Sequence, residues 1–239
     1  MSIPATTSPV SNPYSGVFGN GQIQMFINSG TFTVPAGVTF VRVRVWGAGG
    51  NSGGGGGGFA MRAINLSGTS SVAVTVGASG SPGGTSSFGA FVSATGGLSS
   101  ASPTGGSGIG GDVNYSGGTG AATGGGGGAA GLFGNGGGAT GASSNGCAGG
   151  GNNTNQGGNG FTGTGAVVQT NVGIPASAGD VGRSIDFIAT GGGGANTAGV
   201  SFGINGGGGA SVNPSPGGFP GGGGGNGSVS GRGLVIVEY

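Results

Sequence analysis

Residues 41–58 read VRVRVWGAGGNSGGGGGG and contain both signals that decide the fold. In the first half, Val41, Val43 and Val45 share one face of an alternating pattern, which is typical of a half-buried β-strand. The second half is rich in glycine and ends in an unbroken run at 53–58. The chain is therefore expected to combine two kinds of element, ordinary strands and glycine segments.

Glycine accounts for 73 of the 239 residues, and much of it is clustered in runs. Three runs begin at residues 191, 206 and 221, so they recur every 15 residues. A flexible linker needs no such spacing, whereas a recurring run between loops of changing sequence indicates one structural element used several times. Collagen is disfavoured because the chain has ten prolines and no strict three-residue period.

Ordering so much glycine is costly, because each glycine loses roughly 0.5–1 kcal/mol more backbone entropy than alanine. The main chain itself must supply the compensating interactions. Polyglycine can form an extended left-handed helix of the polyproline II type, with about three residues per turn and about 3.1 Å rise. Without Cβ atoms, several such helices can approach closely and exchange hydrogen bonds. We expect a lattice of polyglycine II helices, largely outside regular secondary structure.

Several further segments are expected to be strands that form a small antiparallel sheet or sandwich. Arg42 and Arg44 share a face of one of these strands and are expected on a solvated surface, or stacked beside the aromatic residues of that face, rather than in a binding site. The apolar C-terminal segment is expected to close on the sheet made by residues 31–94. The expected strands are 31–34, 39–46, 59–66, 72–76, 88–94 and 234–239.

The predicted fold class is thus mostly β with extensive irregular structure. Residues 1–30 are predicted to be an attachment arm, with a frayed terminus as the alternative. The strand domain is placed at 31–103, the polyglycine II domain with its connecting loops at 104–232, and the closing strand at 233–239. Residues 167–189 contain less glycine than their surroundings, and either a strand or a helical turn remains open for them.

The composition leaves little chemistry for an enzyme. The chain has no histidine, no lysine and four acidic residues, so neither a Ser/His/Asp triad nor a phosphate-binding lysine loop can be built. Asp180 and Asp186 could form a carboxylate pair, but a turn that carries Asp180 and Arg183 is the simpler explanation. We expect no enzyme activity, no cofactor and no metal site.

Charge and hydropathy restrict the classes of binding partner that the chain could have. The net charge is +1, which provides no electrostatic basis for nucleic-acid binding. No apolar stretch reaches 18 residues, so membrane insertion is not expected. No export signal is visible at the N-terminus, and Cys147 has no second cysteine with which to pair. This combination fits a protein that is made in a cytoplasm and released inside a particle.

What remains is recognition by loops on a rigid scaffold, which is the usual arrangement of a binding protein. Large aromatic side chains between the glycine runs are the candidate contacts, because they provide most of the available side-chain surface. For each of them, packing against the scaffold or sealing of a subunit contact is the alternative. The candidate binding residues are Tyr115, Phe133, Phe202 and Phe219.

Three stretches carry a resemblance to a known family. FTVPAGV at 32–38, VRVRVWGAGG at 41–50 and GRGLVIVEY at 231–239 resemble the glycine-rich tail-fibre tip adhesins of bacteriophages, as in T-even-like phages. The resemblance covers residues 31–239. It implies an attachment part followed by a layered sandwich of polyglycine II helices, whose loops bind a bacterial outer-membrane protein or a surface polysaccharide. Residues 1–30 are much shorter than the attachment domain of those adhesins.

The expected function is therefore that of a receptor-binding protein at the tip of a phage tail fibre. Residues 1–30 would contact another tail-fibre protein, and the chain would be located in the virion after synthesis in the host cytoplasm. Monomer and homotrimer both remain open. The alternatives are a non-adhesive structural component of the virion, such as a fibre connector, and an ice-binding protein built from polyglycine II helices.

Overall fold

The computed structural model describes Gly19 and residues 21–99, 101–132, 134–139, 157–158, 165–166 and 216–239. In this part of the chain all regular secondary structure is β, and no helix is present. The prediction of a mostly β fold is therefore confirmed. The strands are β1 (Ile23–Phe26), β2 (Gly30–Thr33), β3 (Phe40–Trp46), β4 (Phe59–Asn65), β5 (Ser71–Thr75), β6 (Ser86–Phe88), β7 (Val92–Ala94), β8 (Gly108–Ile109), β9 (Val113–Tyr115), β10 (Gly157–Gly158), β11 (Gly165–Ala166) and β12 (Leu234–Glu238).

Ten of these strands form two five-stranded antiparallel sheets. The first sheet has the order β1-β12-β3-β4-β9, and the second has the order β2-β5-β6-β7-β8. Strands β10 and β11 pair only with each other. The C-terminal strand β12 lies inside the first sheet, with Val235 opposite Val45 of β3 and opposite Phe26 of β1.

The main core lies between the two sheets. Val41, Val43 and Val45 point into it and are fully buried, as their alternation predicts. The ring of Phe32 in β2 packs 5.8 Å from the ring of Phe88 and 5.5 Å from that of Tyr239, measured between centroids. Residues from an early strand and from the C-terminal end of the chain thus meet in one aromatic cluster.

A second apolar cluster lies on the outer face of the first sheet. Trp46 and Phe59 sit side by side there with ring centroids 4.8 Å apart, and Leu234 and Ile236 of β12 pack with them. Ala130, from a glycine-rich segment, completes the cluster. This contact attaches the glycine-rich part of the chain to the sheet.

The structure corrects the prediction of a single strand over 88–94. The segment is split between β6 and β7, which pair with each other. Gly89 has φ of 51°, a conformation that favours glycine, and the amide of Phe91 donates to the carbonyl of Phe88 at 3.1 Å. These features make a tight turn in the middle of the predicted strand.

The prediction that both arginines of β3 lie on a solvated face is wrong for Arg44. Its side chain is buried and forms an ion pair with Glu238. Arg42 reaches the same carboxylate, with its Nε donating to Oε2 at 2.8 Å. The cause is the register of β12, which places Glu238 directly opposite Arg42.

Residues 23–26 lie within the range assigned to the attachment arm, yet they form strand β1 at the edge of the first sheet. The ring of Phe26 is buried in the main core, while Ile23 and Met25 are exposed on the other face. The apolar patch at 23–27 therefore contributes to this chain's own fold. Residues 1–18 lie outside the described residues.

The glycine segments are continuations of the strands. β3 runs on into residues 47–50, the chain turns at 51–53, and 54–58 returns to β4. The amide of Gly47 donates to the carbonyl of Gly58 at 3.0 Å, and that of Gly50 donates to Gly55 at 2.9 Å. Glycine segments therefore also occur inside 31–103, the range predicted to be the strand domain. Strands β8 and β9 fall inside 104–232, the range predicted to be the polyglycine II domain.

Segment 54–58 lies in the interior of these glycine segments, and all of its residues are buried. Its amides and carbonyls bond to residues on many sides, whereas a strand in a sheet bonds only to the strand on either side. Gly56, for example, donates to Gly118 and accepts from Gly106. The partners of 54–58 belong to six segments, 47–50, 95–98, 104–107, 116–120, 125–130 and 221–225.

Candidate functional site

The described residues have two opposite poles. At one pole, Gln22 and Tyr239 exchange main-chain hydrogen bonds at 3.0 Å at the ends of β1 and β12. Residues 1–18 join the described part of the chain here, through Gly19, which lies against Tyr239. The strands and then the glycine segments run away from this pole, so the loops that connect the glycine segments gather at the other one.

We call these connections the distal loops. Main-chain hydrogen bonds join them to one another, as when Ser52 donates to Ser228 at 2.9 Å and Asn226 donates to Gly124 at 3.0 Å. Loops that are distant in sequence therefore form one continuous surface. The distal loops are residues 51–53, 79–82, 98–99 with 101–103, 121–124 and 225–229.

The distal loops carry no charged residue. Most of their side chains are Ser, Ala, Asn or Pro, and the two large apolar ones are Leu98 and Val229, which are 43% and 58% exposed. Single exposed apolar residues are common on any protein surface. Here they are the largest side chains on an otherwise small and polar surface, so they are the natural anchors for a partner.

The sequence-predicted binding residues do not gather at this surface. Tyr115 lies on β9 and packs partly buried against the cluster of Trp46 and Phe59. Phe219 is 36% exposed, but the turn that contains it leads into Gly221. The carbonyl of Gly221 accepts a hydrogen bond from the amide of Gly57 next to the sheets, so this turn lies away from the distal loops. Phe133 and Phe202 lie outside the described residues.

Leu98 and Val229 were not among the sequence-predicted contacts. The signal that could have found them is a lone large apolar residue within a serine- and glycine-rich connection. The predicted contacts are all aromatic, and the predicted loop-bearing region is 104–232, which does not include Leu98.

We call segment 54–58, the segments bonded to it and the adjoining residues 134–139 the glycine body. A groove of about 290 Å³ lies on its side, where segments 116–119 and 135–139 run side by side. We call it the lateral groove. The amide of Ser116 donates to Asn135 Oδ1 at 2.8 Å, and the amide of Ala139 donates to the carbonyl of Thr119 at 2.7 Å. Its lining residues are Ser116, Gly117, Gly118, Thr119, Asn135, Gly136, Gly138 and Ala139.

The described residues contain no cluster of three metal-ligating side chains. They also contain no helix that could span a membrane.

No family model matches the chain, and no curated protein matches it.

Proposed function

We propose that the chain is the receptor-binding tip protein of a phage tail fibre, and that its distal loops contact the bacterial surface. The observation that carries this proposal is the separation of the two poles. Residues 1–18 join the fold at the pole of Gln22 and Tyr239, and the distal loops lie at the other pole. A protein mounted on a fibre by its N-terminal residues would therefore point these loops outwards.

The scaffold in this proposal consists of polyglycine II helices. A helix with three residues per turn directs its amides and carbonyls at successive angles of about 120°. That geometry accounts for the hydrogen bonds of segment 54–58, which reach neighbours on all sides. It also accounts for buried segments without side chains, because a bonded main chain is the only interior such segments can offer.

The proposed partner is an outer-membrane protein or a surface polysaccharide of the host. The distal loops offer an uncharged surface of short polar side chains around Leu98 and Val229. Such a surface recognises shape and hydrogen-bonding groups rather than charge. A second tail-fibre protein would hold residues 1–18, and the chain would work as part of the virion.

The test is competition for adsorption. Purified full-length chain should slow adsorption of the phage that carries it, because it occupies the receptor. Leu98→Asp and Val229→Asp place a charge on the distal loops and should reduce this competition at least tenfold. Ile109→Asp is the matched control, since Ile109 is 51% exposed but lies on β8.

Two outcomes would contradict the proposal. Absence of the chain from purified virions, or failure of the unmodified chain to slow adsorption, would remove the adhesin function, whereas unimpaired competition by both distal variants would place the receptor contacts outside the distal loops. Presence in virions combined with no competition by the unmodified chain would support the alternative of a structural fibre connector.

Ice binding is a second candidate, and one observation favours it. The outer face of the second sheet carries short exposed residues in register, with Thr31 opposite Ala73 and Thr33 opposite Ser71. A flat face of short residues is what an ice-binding protein requires. A thermal hysteresis measurement decides: an effect that Thr31→Lys abolishes would replace the adhesin proposal, and its absence would eliminate ice binding.

A further inference from the structure

Resting on the proposed function, we propose that the lateral groove binds a neutral saccharide of the host surface. The groove lies beside the distal loops, since the amide of Gly120 donates to the carbonyl of Pro103 at 2.7 Å. A glycan held there would extend past the loops that approach the receptor. The receptor would then be a carbohydrate, at least in part.

The first argument is the state of Asn135. Because its Oδ1 accepts the amide of Ser116 at 2.8 Å, the side-chain amide is fixed and its Nδ2 is turned away from that bond. Among the described residues, neither Nδ2 of Asn135 nor the hydroxyl of Thr119 has a hydrogen-bond partner. The groove therefore presents an oriented donor beside a group that both donates and accepts.

The main chain adds two further hydrogen-bond donors to the groove. In the described part of the chain, the amides of Thr119 and Gly138 donate no hydrogen bond, and the two residues are neighbours, since a Cβ atom built on Gly138 would lie 3.6 Å from the nitrogen of Thr119. Most amides of the glycine body are bonded to a neighbouring segment. Thr119 is exposed and Gly138 is half-buried, so these two donors lie at a solvent-facing edge of that network.

The walls of the groove are rigid. Gly118 and Gly136 are buried, and a Cβ atom on either would lie within 2.0 Å of the carbonyl oxygen of Gly137 or of Gly128. Main chains packed this closely cannot shift independently. A ligand would lose little binding energy to ordering of the site, which favours binding of a small polar molecule.

The lining selects the class of ligand. No charged side chain lines the groove, so a sulfated or phosphorylated ligand would lose its hydration without gaining a cation. Ala139 provides the only apolar side chain of the lining, so a protein loop would find little hydrophobic surface. A neutral polyhydroxyl compound matches mixed donors and acceptors of this kind.

The size agrees with one or two sugar rings. Ligand sites generally have volumes of about 300–1,000 Å³, and the groove lies at the small end of that range. A longer chain would have to continue outside the groove, over the distal loops. The site is thus suited to a terminal sugar unit.

The experiment uses the full-length ¹⁵N-labelled chain and a panel of neutral hexose and N-acetylhexosamine disaccharides, each added at millimolar concentration. At least one disaccharide should shift the side-chain amide resonance of Asn135 and the backbone amides of Thr119 and Gly138. Asn135→Asp keeps the acceptor for Ser116 but removes the Nδ2 donor, and should weaken binding at least tenfold. Thr119→Val, at an exposed position, should weaken it severalfold.

The matched control is Asn65→Asp. Asn65 Oδ1 also accepts a backbone amide at 2.8 Å, that of Ser67, but the residue lies at the end of β4, far from the groove. This variant should bind the disaccharide as the unmodified chain does.

The inference is overturned if no neutral disaccharide moves these resonances, if only sulfated or sialylated sugars do, or if Asn135→Asp binds as tightly as the unmodified chain. Shifts caused by a solubilised outer-membrane protein, with none from sugars, would also overturn it and point to a protein receptor. None of these results depends on the competition assay, so failure of the groove and failure of the adhesin function can be told apart.

Discussion

Gly56 shows why the most closely packed positions between the glycine segments accept no residue other than glycine. A Cβ atom placed there would lie 1.9 Å from the carbonyl oxygen of Gly128, a main-chain atom that cannot move alone. Gly138 has the opposite surroundings, because its nearest neighbour would be 3.5 Å from the new atom. Glycine is therefore a packing requirement at one position and a tolerated residue at the other.

Replacing these two glycines by alanine should have clearly different effects. Gly56→Ala should lower the free energy of unfolding by about 1–3 kcal/mol or more, because the main chains on both sides must separate. Gly138→Ala should leave it unchanged or raise it by about 0.4–1 kcal/mol, through the lower entropy of the unfolded chain. Urea denaturation of both variants measures the difference, and equal effects would contradict the close packing of segment 54–58.

At the scale of the element, β12 is the strand on which the first sheet depends. All five of its residues are buried, and it is paired on both sides, with β1 and with β3. Its Glu238 also serves as the counter-charge for Arg42 and Arg44. The last residues of the chain are thus structural residues of the core.

Placing a charge on β12 should therefore prevent stable folding. Val237→Asp buries a carboxylate in the main core without a partner, and a loss of about 4 kcal/mol or more is expected. Ala73→Asp is the control, because Ala73 lies on β5 but faces solvent, and its effect should stay within about 0.5 kcal/mol. Thermal unfolding followed by circular dichroism compares the two, and a stable Val237→Asp protein would contradict the placement of β12.

The sequence predicts this part of the fold unevenly, for physical reasons. The alternation around Val43 marks β3 because burial on one face of a strand leaves a period of two. The break at Gly89 is not visible, since one more glycine carries no information in this chain. The ion pair of Arg42 with Glu238 depends on the register between strands 196 residues apart, which no local pattern encodes.

The candidate site was still less predictable. The distal loops come together through main-chain bonds such as that from Ser52 to Ser228, and every residue type except proline offers the same main-chain groups. Their convergence therefore leaves no mark on the sequence. The lateral groove arises in the same way, from two glycine segments that lie side by side, and its polar side chains are those of Ser116, Thr119 and Asn135.

At the scale of the whole molecule, the chain joins two kinds of interior. Between the sheets, apolar side chains are removed from water, and the free energy comes largely from that burial. Within the glycine body, buried residues such as those of 125–130 carry almost no side chain, and the hydrogen-bonded main chain takes that role. Both interiors must be equally well ordered if the proposed scaffold is to hold its loops in place.

Hydrogen exchange tests whether the two interiors are equally well ordered. The hydrogen-bonded amides of segments 54–58, 125–130 and 221–225, such as those of Gly55, Gly128 and Gly223, should exchange about as slowly as those of β3 and β12, because both sets are buried and bonded. The exposed residues 226–227 of the distal loops serve as a fast-exchanging control. Rapid exchange throughout the glycine segments would remove the basis for a rigid scaffold and for the adhesin proposal.

The continuation of β3 into residues 47–50 has a mechanical consequence. A pull between the pole of Tyr239 and the distal loops acts along chains that are already extended, so there is little slack to draw out. The hydrogen bonds lie across the direction of pull and would have to shear together rather than open one after another. On the proposed function, a particle tethered through this protein would feel a stiff connection, and tension would be passed to the receptor with little stretch in between.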